Sequence, residues 1–139
     1  MTNFTVNLTP GNTYTNKELS AAFNVSNMGG MRYSKKNNAL VLISDHTKGY
    51  DDHREHNILY YTGMGKYGDQ SLDFGQNKRL QSVSIATATN IYLFEVLKKT
   101  EYIYRGPVTL CQEPFQEQQL DFDEKPRKVW IFPLKIKQA

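Results

Sequence analysis

The sequence predicts an α+β domain built on one curved, barrel-like sheet with two short helices alongside. Three observations lead there. Apolar runs rich in branched and aromatic residues recur along the chain, "NALVLISD", "NILYYTG", "NIYLFEV" and "VWIFPLKI" among them, which is strand patterning. Only two stretches carry helical signals. With 139 residues, the chain has a single-domain length and enough surface to bury one core.

The elements follow in chain order. Residues 1–13 read as a loose lead-in with a turn at Pro10-Gly11. Thr15 and Glu18 have capping-box spacing, and Leu19, Ala22 and Phe23 share a face, so a helix is expected from about Asn16 to Asn24. Gly29-Gly30 ends it. Asn38 to Asp45 is a buried strand, and Asn57 to Gly63 a second, with the polar loop "HTKGYDDHREH" between them. A short helix is expected at about Gln76 to Ser84, with Leu80 and Val83 facing inward. Two further strands meet at a Lys99-Thr100 turn. After the polar "QEQQLDFDEKPRK" comes a last strand, "VWIFPLKI". About five strands result.

Composition narrows the class. Hydrophobic residues make up 39% and charged residues 22%, ordinary for a globular chain. Net charge is +3 with a pI near 8.9, compatible with a polyanion partner. Basic residues gather at Arg32 to Lys36, Lys78 to Arg79 and Lys125 to Lys137. A single cysteine, Cys111, rules out an internal disulfide and fits a reducing compartment. No apolar run approaches about 18 residues, so a cytoplasmic location without membrane contact is expected.

Enzyme signals are weak. His53 and His56 stand beside Asp51 and Asp52, but a structural zinc site needs more ligands than these histidines supply. Cys111 follows an apolar run and reads as a small hydrophobe. Asp121, Asp123 and Lys125 fall in a Pro-containing turn. Gly63, Gly65 and Gly68 are not followed by the Lys-Ser or Lys-Thr of a phosphate loop. No catalytic residue, metal or cofactor is expected.

Binding signals are stronger. "KGYDDHREH" and "YYTGMGKYGDQ" each place a Tyr next to Gly, and the first adds two carboxylates. If both segments converge at one end of the sheet, two rings can sandwich a planar group. A carboxylate at its edge suits the exocyclic amino group of cytosine. Glycines let the backbone approach the remaining edge, as a pocket for an extruded base requires.

The order "YDD…YYTGMG…GDQSL…QNKRL…IYLFEV…YIYRG…RKVWIFPL" resembles the SRA domains, readers of modified cytosine in DNA. It is most similar to the SRA-like domain at the N-terminus of bacterial modification-dependent HNH restriction endonucleases, from about Tyr14 to Leu134. The resemblance implies a PUA-like, crescent-shaped twisted β-barrel that flips 5-methyl- or 5-hydroxymethylcytosine out of duplex DNA. It implies a pocket of Gly49, Tyr50, Asp51, Asp52, Tyr61 and Thr62, with Asp52 reading the cytosine edge and Asp51 as the alternative. Arg32, Lys35, Lys36, Lys78 and Arg79 would contact phosphates. Asp69 and Asn77 would serve mainly as scaffold, and Gln70 as scaffold or DNA contact. Where bacterial relatives show an aromatic residue after the acidic loop, this chain has His53 and His56.

The sequence contains no HNH ligand set. It is therefore expected to be a reader, not an enzyme, with a nuclease domain fused or associated. Two alternatives accompany that reading: a PUA-like RNA-binding module, and a fragment of an HNH endonuclease inactive alone.

Overall fold

The computed structural model describes residues 6–47, 52–86 and 90–137. In chain order the elements are β1 (Thr13–Tyr14), α1 (Asn16–Phe23), β2 (Met31–Ser34), β3 (Ala39–Asp45), β4 (His53–Glu55), β5 (Ile58–Thr62), α2 (Asn77–Ala86), β6 (Asn90–Lys98), β7 (Glu101–Leu110), β8 (Phe115–Leu120) and β9 (Pro126–Ile136). The expected twisted sheet with two short helices is present. It has nine strands among the described residues rather than five; β1, β2, β4 and β8 were not foreseen.

The sheet runs β2-β3-β6-β7-β9-β5-β4, with β1 added on β7 and β8 on β9. Pairing is antiparallel except between β3 and β6. These two central strands are buried on both faces, which is why they read as unbroken apolar runs. Leu40, Leu42, Ile91 and Leu93 enter one cluster with Leu59, Tyr61, Leu80 and Phe132. Val41, Ile43, Tyr92, Phe94 and Val96 enter another on the opposite face. The second cluster is roofed by α1, whose Leu19 and Phe23 are fully buried. The Phe23 ring lies 4.9 Å from Tyr92 and 5.8 Å from Phe94, edge-on to the latter.

Helix α1 begins as its sequence requires. The Thr15 hydroxyl oxygen accepts from Glu18 N, and the Glu18 carboxylate accepts from Thr15 N. Asn24 closes the helix in the left-handed conformation. Strand β9 is the spine of the sheet. Its first half pairs with β8, Ile131 to Lys135 pair with β5, and its last residues pair with β7. Through β9, strand β5 and the glycine-rich loop that follows it are tied to one element.

Burial of Phe23 by three aromatic neighbours makes it the costliest residue of α1 to truncate. Phe23→Ala is expected to lower the unfolding free energy by about 3–5 kcal/mol. Thr15→Ala removes only the cap and is expected to cost about 1 kcal/mol. Urea denaturation of both variants measures the two values.

Candidate functional site

Strands β3 and β5 lie near opposite ends of the sheet path and share no backbone ladder. Side chains span the seam between them. The Tyr61 hydroxyl donates to Gly30 O at 2.9 Å, with Ile43 O 3.3 Å away. Asp52, just before β4, accepts from the Ser44 hydroxyl of β3 and from Thr62 N of β5, both at 2.7 Å. Farther along, Arg54 of β4 reaches Glu95 of β6 at 2.9 Å.

The seam encloses a cavity of about 450 Å³, within the range of small-molecule sites. Asp52, Tyr61, Thr62, Gly63 and Met64 form one wall. Asn27 to Gly30, Arg32, Ile43, Asp45 and Tyr102 form the other, and Lys66 and Phe122 complete the lining. Met28 is 76% exposed, so it projects into solvent while lining the cavity.

The glycine-rich loop owes its shape to side-chain amides. Gln70 donates to Gly63 O and Gly65 O and accepts from Trp130 N. Asn77, fully buried, accepts from Met64 N and donates to Met64 O and Ser71 O. Asp69 accepts from Lys128 N at 2.8 Å. A Cβ on Gly63 would meet Asn77 Oδ1 at 2.8 Å and Phe132 Cε1 at 3.1 Å, so only glycine fits between them.

Burial pushes the Asp52 carboxyl above the usual aspartate range, opposed by the hydrogen bonds from Ser44 and Thr62. The Thr62 hydroxyl is itself oriented by Gln119 of β8, whose Nε2 lies 3.2 Å from Thr62 Oγ1. Burial also acts to raise Glu95, but His46, Arg105 and Arg54 outweigh it and hold that carboxyl below its ordinary value. His46 Nε2 is 2.9 Å from Glu95 and 3.4 Å from the Ser44 hydroxyl. One polar chain thus connects the Glu95 hub to Asp52.

Of the pocket residues expected from sequence, Asp52, Tyr61 and Thr62 converge on this cavity. Gly49, Tyr50 and Asp51 lie outside the described residues. Asp69, Gln70 and Asn77 make the scaffold bonds given above; Gln70 is 6% exposed, and its amide is spent on backbone rather than facing outward. Lys35, Lys36, Lys78 and Arg79 are exposed. Arg79 stacks 3.7 Å over the Tyr33 ring.

Arg32, expected with Lys35 and Lys36 to contact phosphates, is 5% exposed and turned inward. Strand alternation in β2 sends it to the cavity side, where its Nε donates to Gly29 O. Of the remaining sequence candidates, His53 stacks on Tyr60 at 4.8 Å. Asp121 accepts from the backbone of Asp123 and Lys125, as a turn carboxylate does. No group of metal-ligating side chains occurs among the described residues. Sequence reading missed Ser44, Gln119, Tyr102 and the Asn27 to Gly30 loop.

A model of the ScoMcrA-like SRA domain matches residues 10–138. The chain belongs to this SRA family. Solved structures share the fold. An SRA-containing ScoMcrA fragment, solved with its sulfur-binding domain and phosphorothioated DNA, superposes with a TM-score of 0.75 at 20% identity, covering 95% of this chain and 40% of that one. The SUVH5 SRA domain in complex with methylated CHH DNA gives 0.70 at 23% identity, covering 100% and 96%. The modification-dependent restriction endonuclease TagI gives 0.64 at 19%, covering 96% and 51%. This SRA domain therefore spans about half or less of the two restriction-enzyme chains. No curated protein matches it significantly.

The two perturbed carboxyls of the SRA domain have opposite pH signatures. Asp52 is raised in the fold, so its contribution to stability is present below the unfolded value of about 3.9 and lost as pH rises through the folded value. Glu95 is lowered, so its contribution is present above about 4.3 and lost as pH falls through the folded value. Asp52→Asn is expected to gain stability relative to the parent as pH rises toward neutrality. Glu95→Gln is expected to lose stability at neutral pH and to flatten the acid limb. Denaturation series from about pH 4 to about pH 8 check both signs.

Proposed function

We propose that this domain binds duplex DNA containing a modified cytosine, 5-methyl or 5-hydroxymethyl, and everts that base into the seam cavity. In this reading it is the recognition module of a modification-dependent restriction system. Strand cleavage belongs to a nuclease domain, of HNH type by resemblance, fused to it or associated with it.

The observation that carries the reading is Asp52: a carboxylate on the wall of a base-sized cavity, held by two hydrogen bonds at 2.7 Å. An ionised carboxylate accepts from the 4-amino group of cytosine and repels the carbonyl that thymine carries there. Tyr61, hydroxyl anchored, supplies one aromatic wall. Tyr50 is the proposed second ring, with Gly49 and Asp51 beside it. Exposed Lys35, Lys36, Lys78 and Arg79 supply phosphate contacts.

Magnitudes are compatible with eversion. Extruding a base costs a few kcal/mol, and stacking on an aromatic face returns about 1–3 kcal/mol. A hydrogen bond to a charged group adds about 1.5–3 kcal/mol. Phosphate contacts supply the remainder and depend on salt.

The test is a titration of one duplex carrying cytosine, methylcytosine or hydroxymethylcytosine at a single site, at fixed salt. The parent is expected to favour a modified duplex. Asp52→Asn is expected to lose about tenfold or more on that duplex. Lys78→Ala is expected to weaken all three alike. An Asp52→Asn variant that keeps the parent's affinity and discrimination would refute the reading.

A further inference from the structure

The cavity contains a cation that cytosine reading leaves unused. Arg32 is 5% exposed and lines the cavity. Its Nε donates to Gly29 O at 2.8 Å and its Nη1 to Asn16 Oδ1 at 2.6 Å. The Tyr102 hydroxyl bonds it as well, and Tyr61 is near. All of these neighbours are neutral, and no ion pair among the described residues includes Arg32.

The two carboxylates on the described cavity wall do not compensate it. Asp45 accepts from Thr47 N at 2.9 Å and from the Thr47 hydroxyl at 2.6 Å. Asp52 is held by Ser44 and Thr62. A buried charge without a counter-charge is costly to maintain. A guanidinium has five N–H donors in a planar fork, more than the bonds above occupy. The fork fits a carboxylate or phosphate in bidentate fashion.

We propose that Arg32 receives an anionic oxygen brought into the cavity by the everted nucleotide. The oxygen belongs either to a carboxylate at C5 of the base or to the nucleotide's own phosphate. This rests on the base-eversion reading and narrows it. The C5 position adjoins the 4-amino group assigned to Asp52, and a methyl there offers a buried cation nothing.

Two measurements test it. In the first, thermal melting of the free domain is followed in inorganic phosphate and in chloride at equal ionic strength. The parent is expected to melt higher in phosphate, and Arg32→Gln to show no such difference. This readout does not involve DNA. In the second, the duplex titration is extended to carboxylcytosine for the parent, Arg32→Lys and Arg32→Gln.

If the base carries the anion, the parent binds the carboxyl duplex about tenfold tighter than the methyl duplex. Arg32→Gln then erases that preference, and Arg32→Lys keeps part of it. If the phosphate carries it, Arg32→Gln weakens every duplex, plain cytosine included, by one common factor. A phosphate effect in a parent that ignores cytosine modification would sustain the oxyanion site and remove the base-reading function. The proposal is overturned if phosphate does not raise the parent's melting point and a cooperatively melting Arg32→Gln binds every duplex as the parent does. Should Arg32→Gln fail to fold, the parent's phosphate shift and the Arg32→Lys titration decide.

Discussion

The hydrogen bonds that Asp52 accepts from Ser44 and Thr62 are the constraint on which the site depends. They join β3 to β5, two strands that the sheet's own ladder leaves apart. Backbone pairing could close the seam, but it would leave no cavity. A carboxylate closes it while keeping one polar, acceptor-only group on the wall. The cost is desolvation, visible in the raised Asp52 carboxyl, and the return is a fixed acceptor with its orientation set before any ligand arrives. The Tyr61 hydroxyl spans the same seam to the Gly30 carbonyl.

The rest of the fold supports that arrangement. β3 and β6, buried on both faces, give the seam one rigid side. β9 gives the other, because it carries β5 and its Trp130 N–H donates to the Gln70 amide that shapes the glycine-rich loop. The Glu95 hub ties β4 back to β6 through Arg54. Strand β8 contributes Gln119, which orients the Thr62 hydroxyl. Asp52 is thus held by Thr62 of β5, the strand with which β4 pairs, and by Ser44 of β3, which lies across the seam.

What was legible in the sequence follows from the strength of local signals. The capping box of α1 and the apolar runs of β3, β5, β6, β7 and β9 declare themselves because their periodicity is a direct record of burial. β8 does not, since in "FQEQQL" only Gln119 is buried and no apolar face exists. β4 is exposed throughout, and β2 is a short strand closely following two glycines. At the site, Asp52, Tyr61 and Thr62 stand in motifs that a family resemblance can locate. Ser44 and Gln119 act through Asp52 and Thr62 from distant strands, so nothing near them in sequence marks the role. Arg32 opens a basic run, so its burial was not legible. Charge alone does not distinguish a side chain aimed at solvent from one sent inward by strand alternation.

The central claim is that the seam cavity is a receptacle for a cytosine taken out of its helix, read by Asp52. A crystal structure of the domain with a duplex bearing one methylcytosine tests it most directly. The account predicts the modified base inside the cavity, its 4-amino group within hydrogen-bonding distance of the Asp52 carboxylate and its ring against Tyr61. A modified base still stacked in the duplex, with the protein bound elsewhere and the cavity empty, would contradict it.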